Sequence, residues 1–262
     1  MRLAPIFPTF PLVASFVVLA LVLSPARGQT PEVVKAFDAR TFDGPGGTKL
    51  PYRIYTPPPK PGQTYPLVIL LHGSGERGDD NQLQLKHAAG DLLKYAQAHP
   101  AIVVVPQCPK GVWWSGPENE VGQPKSPPPA VLPIEAVSAL LDQLLKDLPV
   151  DRSRVYLTGL SMGGNGAFDF VARRPGVFAA AMPICGWGDA ATAAAFKGTA
   201  VRVYHGDRDD AVPVDESRKM VAALKAAGVS VEYTEYPGVG HNSWTRTYAD
   251  PKVLDWLWAQ KR

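Results

Sequence analysis

The sequence predicts one α/β domain, with a mostly parallel central sheet, antiparallel strands at its start and helices on both faces. Three observations carry this expectation. The runs "YPLVILLHG", "AIVVVPQ" and "SRVYLTG" are continuously apolar or nearly so, the mark of strands buried on both faces. Stretches of helical spacing such as "AVLPIEAVSALLDQLLKDLP" and "DESRKMVAALKAAG" alternate with the apolar runs. At 262 residues the chain is long enough to bury a single large core.

The elements follow in order. "EVVKAFDARTF" and "KLPYRIYTP" are β-rich and joined by the turn "DGPGG", which predicts an antiparallel hairpin. "PPPKPGQ" is a stiff connector in which no helix can form. The first buried strand, at 65–73, leads into a helical stretch from Gln82 to Ala98 and then to "AIVVVPQ". "GVWWSGPENEVGQPKSPPP" is too rich in Gly and Pro for regular structure and long for a connection. After the helix at 130–149, "SRVYLTG" is a strand and "SMGGNGAFDFVARRP" its helix. "FAAAMPIC", "AVRVYHG" and "VSVEYTEYP" are further strands. "DESRKMVAALKAAG" is a helix closed by a glycine, and "DPKVLDWLWAQKR" is the last helix. No internal repeat and no second domain are visible. In sheets of this kind, ligands bind beyond the carboxyl ends of the strands.

A hydrophobic share of 45% and a charged share of 19% are ordinary for a globular chain. A dispersed net charge of +3 argues against a nucleic-acid partner. The N-terminus is a separate object: Arg2 precedes the 12-residue apolar run "LVASFVVLALVL", and Ala26 and Gly28 supply small residues before Gln29. The run is short for a membrane span of roughly 20 residues. Residues 1–28 therefore read as a signal peptide, 29–262 as the mature domain, and the destination as secreted or periplasmic, with no stable membrane association after cleavage. Export would permit a Cys108–Cys185 disulfide, but two buried free thiols are the expected state.

"LTGLSMGGNGAFDF" puts Ser161 between glycines, after a strand and before a helix, in the Gly159-x-Ser161-x-Gly163 pattern of a nucleophile elbow. A serine hydroxyl needs a base within hydrogen-bond reach. Of the five histidines only His205 and His241 follow Ser161, and His205 precedes the acids that should come before the base. His241, on the glycine-flanked loop "YPGVGHNSW", is the candidate base. The acid lies in "HGDRDDAVP"; Asp209 is favoured, with Asp210 and Asp207 as alternatives. Its task would be to orient the imidazole. Backbone N–H groups for an oxyanion would come from Met162 and from "LHGSGERG", with Ser74 favoured over Gly75.

These motifs, with "LPYRIYTP", "PQCP", "PICG" and "WTRTYADP", resemble the bacterial predicted peptidases. Those are α/β-hydrolases akin to dienelactone hydrolases, phospholipase/carboxylesterases and feruloyl esterases. The likeness covers nearly all of the chain after the signal. It implies Ser161 as nucleophile, Asp209 as acid and His241 as base, and esterase activity despite the peptidase label. In "CGWGD" a third small residue is expected where Trp187 stands, and the indole would narrow the pocket mouth. Trp113 and Trp114 are candidates to stack on an aromatic or sugar group, or else pack under their loop. Trp244, Trp256 and Trp258 read as core or helix-packing residues, His72 as structural, and Glu76 and Arg77 as ion-pairing residues that fix the loop.

The expected activity is hydrolysis of small-molecule or polymer-linked carboxylic esters through an acyl-enzyme. A serine peptidase of the same fold and a non-catalytic binding protein are the competing readings. A peptidase of this fold often carries an extra filtering domain, and a binding protein would lack part of the triad. No phosphate loop, paired Cys/His metal spacing or cofactor fingerprint is present, so neither cofactor nor metal is expected.

Overall fold

The computed structural model describes Met1, residues 30–116 and residues 130–262. Apart from Met1, the expected signal peptide lies outside the described residues, as does most of the Gly/Pro-rich segment after Gly116. Eight strands form one sheet: β1 (Asp38–Asp43), β2 (Lys49–Tyr55), β3 (Tyr65–Leu71), β4 (Ile102–Pro106), β5 (Val150–Leu160), β6 (Ala180–Ile184), β7 (Ala200–Gly206) and β8 (Val231–Tyr236). Their order is β1-β2-β4-β3-β5-β6-β7-β8. The β1–β2 and β2–β4 pairs are antiparallel and the remaining pairs parallel, as the sequence predicts.

Strand side chains alternate between two packed layers. Leu67, Ile69 and Leu71 of β3 meet one layer with α3 (Pro133–Asp147), α4 (Met162–Arg173) and α5 (Val214–Ala226). Val68 and Leu70 face the other, with α2 (Ala89–Ala98), α6 (Ser243–Ala249) and α7 (Pro251–Ala259). Both faces are buried, so the strands read as unbroken apolar runs. Each fully buried Leu or Phe side chain, such as Leu140 or Phe170, stabilises the fold by roughly 1.5–3 kcal/mol.

Three local expectations are corrected. Residues Pro31–Ala36 form a helix, α1, rather than the start of the hairpin. Thr30 caps it, with its Oγ1 accepting the Val33 N–H, and Pro31 at the first turn has the fixed φ a helix start favours. The helix expected from Gln82 begins only at Ala89, because Ala88 has φ +62° and interrupts helical geometry. A short helix, α6, carries Trp244 where none was expected.

After β4 the chain crosses back and lays β5 on the opposite side of β3. The loops leaving β3 and β5 therefore diverge at the carboxyl edge, which opens a crevice there.

Candidate active site

Ser161 joins β5 to α4 with φ +55° and ψ −120°, a conformation rare for a residue with a side chain. Glycines on either side permit it. A Cβ at Gly159 would lie 2.2 Å from the Gly163 carbonyl oxygen, and one at Gly163 only 2.0 Å from that of Leu71. A Cβ at Gly164 would lie 2.6 Å from the Ile184 oxygen, and that same oxygen accepts the Ser161 N–H at 2.9 Å. The turn is thus wedged between the ends of β3 and β6. Alanine at Gly163 or Gly164 would favour the helix by roughly 1 kcal/mol per site, far less than such overlaps cost.

His241 reaches the elbow on the loop after β8. Its Nε2 lies 2.8 Å from Ser161 Oγ and its Nδ1 2.8 Å from Asp209 Oδ2. The approach requires Gly206 at the end of β7, where a Cβ would stand 2.2 Å from the Val239 carbonyl oxygen. Asp207 Oδ1 ties the two loops together by accepting the Gly238 N–H at 2.6 Å. Of the three carboxylates in "HGDRDDAVP", Asp209 is the one turned inward; Asp207 and Asp210 are exposed.

The Asp209 side chain is fully buried. Oδ1 accepts the Ala211 and Val212 N–H groups at 2.9 Å each, and Oδ2 lies 3.0 Å from His205 Nε2 as well as against His241. Burial alone would raise its pKa, but hydrogen bonds from His205, His241 and Val212 outweigh this and hold it well below the usual carboxylate range. Facing a carboxylate, His241 Nδ1 must carry the proton, which leaves Nε2 as an acceptor for the Ser161 hydroxyl. Chain order excludes His205 as the base, and the structure shows it as a second imidazole on the same acid.

The expected oxyanion donors lie across the crevice. Met162 is the first residue of α4, where an N–H has no intrahelical partner. Ser74 opens the 3-10 turn Ser74–Glu76 that follows β3. Arg77 secures this turn by donating from Nε to the Ser74 carbonyl at 2.8 Å and from Nη1 to that of Val112 at 3.3 Å. Glu76 is buried and faces His87 Nε2 at 3.4 Å and Lys86 Nζ at 4.0 Å. Glu76 therefore pairs with Lys86, as expected of the loop, whereas Arg77 acts through backbone carbonyls.

His72, at the end of β3, is structural as expected. Nδ1–H donates to the Gly73 carbonyl at 2.7 Å and Nε2 accepts the Cys108 N–H at 2.9 Å. Burial pulls its pKa down to about 4, so the ring is neutral across the physiological range. Cys108 and Cys185 are free and buried.

The tryptophans divide differently from expectation. Trp114 is 0% exposed, packs on Gly166 and donates from Nε1 to the His72 carbonyl at 3.0 Å. It is a core residue with no face for a substrate. Trp187 is 7% exposed; its carbonyl accepts from Asn165 Nδ2, and its ring meets Trp113 edge-on with centroids 6.2 Å apart. Trp113 is the more accessible of the three, and the Arg77 guanidinium lies 5.2 Å over its ring. Trp244, expected as a packing residue, stands with its ring edge-on to His241 at 5.3 Å and 5.4 Å from His87. Its only sequence signal is its place three residues after His241.

Cys185, Asp209 and His241 place potential metal-ligand atoms within 4.8 Å of one another. The Asp209 oxygens and His241 Nδ1 are already engaged in hydrogen bonds.

This fold is that of the α/β-hydrolases. The chain matches the phospholipase/carboxylesterase family over residues 58–252 and belongs to it. Among curated proteins, Carboxylesterase SOBER1 of Arabidopsis thaliana is 26% identical over 189 residues, covering 67% of this chain and 82% of that protein. A thermostable esterase of known structure has a TM-score of 0.81 and 38% identity over 88% of this chain, which spans 64% of that protein's length. A ferulic acid esterase shares the fold, with a TM-score of 0.65 and 20% identity over 85% of this chain and 97% of its own.

Proposed function

We propose that the protein is a carboxylic ester hydrolase that works through an acyl-enzyme on Ser161. The observation that carries this reading is the hydrogen-bonded series from Ser161 Oγ through His241 to Asp209, with 2.8 Å at each step, on a strained elbow. Family membership supports ester hydrolysis independently. As Ser161 Oγ attacks the ester carbonyl carbon, His241 Nε2 takes its proton. Asp209 stabilises the imidazolium that results. The negative oxygen of the tetrahedral intermediate is received by the Met162 and Ser74 N–H groups; one such donor is worth roughly 10²–10³ in rate. The carbon–oxygen bond then breaks, and the alcohol leaves with the proton from His241. Water, deprotonated by His241, attacks the acyl-Ser161, which releases the carboxylic acid and regenerates the serine.

The substrates are small-molecule or polymer-linked esters met outside the cytoplasm. Export rests on the apolar run Leu12–Leu23 and the small residues before Gln29. Purified enzyme assayed against acyl and aryl esters and against peptide amides tests the reading. Turnover of esters with little or none of peptides is expected, and preferential peptide cleavage would replace it with a peptidase.

A further inference from the structure

His205, from the end of β7, is fully buried, and its two ring nitrogens are engaged in hydrogen bonds on opposite sides. Nε2 faces only acceptors, Asp209 Oδ2 at 3.0 Å and the Val212 carbonyl at 3.0 Å, so that nitrogen must carry a proton. Nδ1 lies 2.7 Å from Ser217 Oγ of α5 and accepts a hydrogen bond from its hydroxyl, and the Gly186 carbonyl lies 3.0 Å from the same Oγ as the competing acceptor. The ring is therefore held from behind by the Ser217 hydroxyl, and its N–H is aimed at the oxygen that His241 also uses. Two imidazoles share one carboxylate oxygen, and the other oxygen is held by two backbone N–H groups.

We propose that His205 is a positioning residue for the acid of the Ser161–His241–Asp209 series, fixing Asp209 Oδ2 in line with His241 Nδ1. The proposal rests on the reading of Asp209 as that acid. With both oxygens held, the carboxylate cannot rotate about its terminal bond, and only one orientation presents Oδ2 to His241. A side chain of similar shape without an N–H would leave only the backbone bonds to Oδ1 and the His241 bond to oppose rotation of the carboxylate, so that Oδ2 is held less firmly in line.

Among the described residues, His241 also faces the Ser161 hydroxyl from the start of α4 and the Trp244 ring from α6. Glu235 on β8 stands beside His205 in the strand register, and Ser217 faces it from α5. Around Asp209 lie His205 from β7, His241 from the loop after β8, and Cys185 after β6. Removing the His205 N–H leaves more of the Asp209 charge to be met by His241. The acid limb of the rate profile, where the His241–Asp209 pair takes up a proton, should therefore move to higher pH.

The test compares His205→Phe, His205→Gln and Asp209→Asn in the full protein, with kcat, KM and the pH profile of kcat/KM on one ester. A carboxylate misplaced by about 1 Å is worth roughly 100-fold. His205→Phe is expected to lower kcat by roughly 10- to 100-fold with little change in KM and to shift the acid limb upward. His205→Gln, which keeps an N–H donor, should recover part of both. A His205→Phe enzyme with wild-type kcat and acid limb overturns the proposal. If that variant does not fold, Ser217→Ala removes the rear anchor instead; a smaller upward shift of the acid limb supports the proposal and an unmoved limb overturns it. Asp209→Asn separates the two readings. If it stays active, the triad itself is wrong; if it is dead while His205→Phe is unaffected, only the role of His205 fails.

Discussion

Gly163 and Leu71 meet with no room between them: a Cβ on Gly163 would stand 2.0 Å from the Leu71 carbonyl oxygen and 2.7 Å from that of His72. The contact joins the first turn of α4 to the end of β3, so the elbow and the loop carrying Ser74 are held at one separation. Gly163→Ala is expected to cost several-fold more stability than the roughly 1 kcal/mol that alanine returns through helix propensity. Any folded fraction should have sharply lower kcat, because the Ser161 and Ser74 sides must move apart. Denaturant titration and steady-state kinetics check this; a stable, fully active variant would contradict it.

Asp209 is the buried member of three neighbouring carboxylates, which gives a graded expectation. Asp209→Asn should lower turnover by orders of magnitude, as loss of the acid does in a related triad, where it is about 10⁴-fold. Asp210→Asn should leave turnover nearly unchanged, since exposed charges contribute about 0–1 kcal/mol. Asp207→Asn weakens the tie to Gly238 and should reduce stability more than rate. Kinetics on the three variants, each checked for folding, would expose a shifted assignment if Asp210→Asn were the inactive one.

His72 makes stability depend on pH. Its folded pKa is lowered to about 4 from 6.5, so below pH 6.5 the unfolded chain binds a proton that the folded one refuses. Stability from this group is full above about pH 6.5, falls as pH drops towards about 4, and then levels off, an overall loss of about 3 kcal/mol. Asp209 contributes stability with the same sign at lower pH, present in full above the unfolded carboxylate value and lost as pH falls towards its depressed folded one. Denaturation curves from pH 4 to 7 should show the His72 slope in the wild type and a flatter one in His72→Gln.

If residues 1–28 are removed on export, the mature chain begins at Gln29 or within a few residues of it. Intact mass of the exported protein reads this directly. Recovery of the full-length chain in the membrane fraction would instead mean an uncleaved anchor.

The strands and the pairing of Ser161 with His241 were legible because unbroken apolar runs and chain order are one-dimensional signals. Asp209 was favoured among three acids, but its inward turn is set by the Ala211 and Val212 N–H groups, which only the folded loop brings together. The Thr30–Pro31 start signal for α1 was present yet lost beside the β-branched Val33–Val34 pair. The sequence leaves Trp114 open between stacking and packing, because its burial follows from the absence of a side chain at Gly166, a tertiary contact. The place of His205 on the acid is not legible, because chain order speaks only to the base and nothing local reveals a second imidazole on the same carboxylate.

The central claim is that Ser161 carries the acyl group. Rapid quench of the enzyme with an activated aryl ester, followed by intact mass and peptide mapping, tests it most directly. One acyl group on the peptide containing Ser161, absent in Ser161→Ala along with turnover, is the predicted result; an adduct on another residue, or a Ser161→Ala enzyme that still turns over the ester, would contradict it.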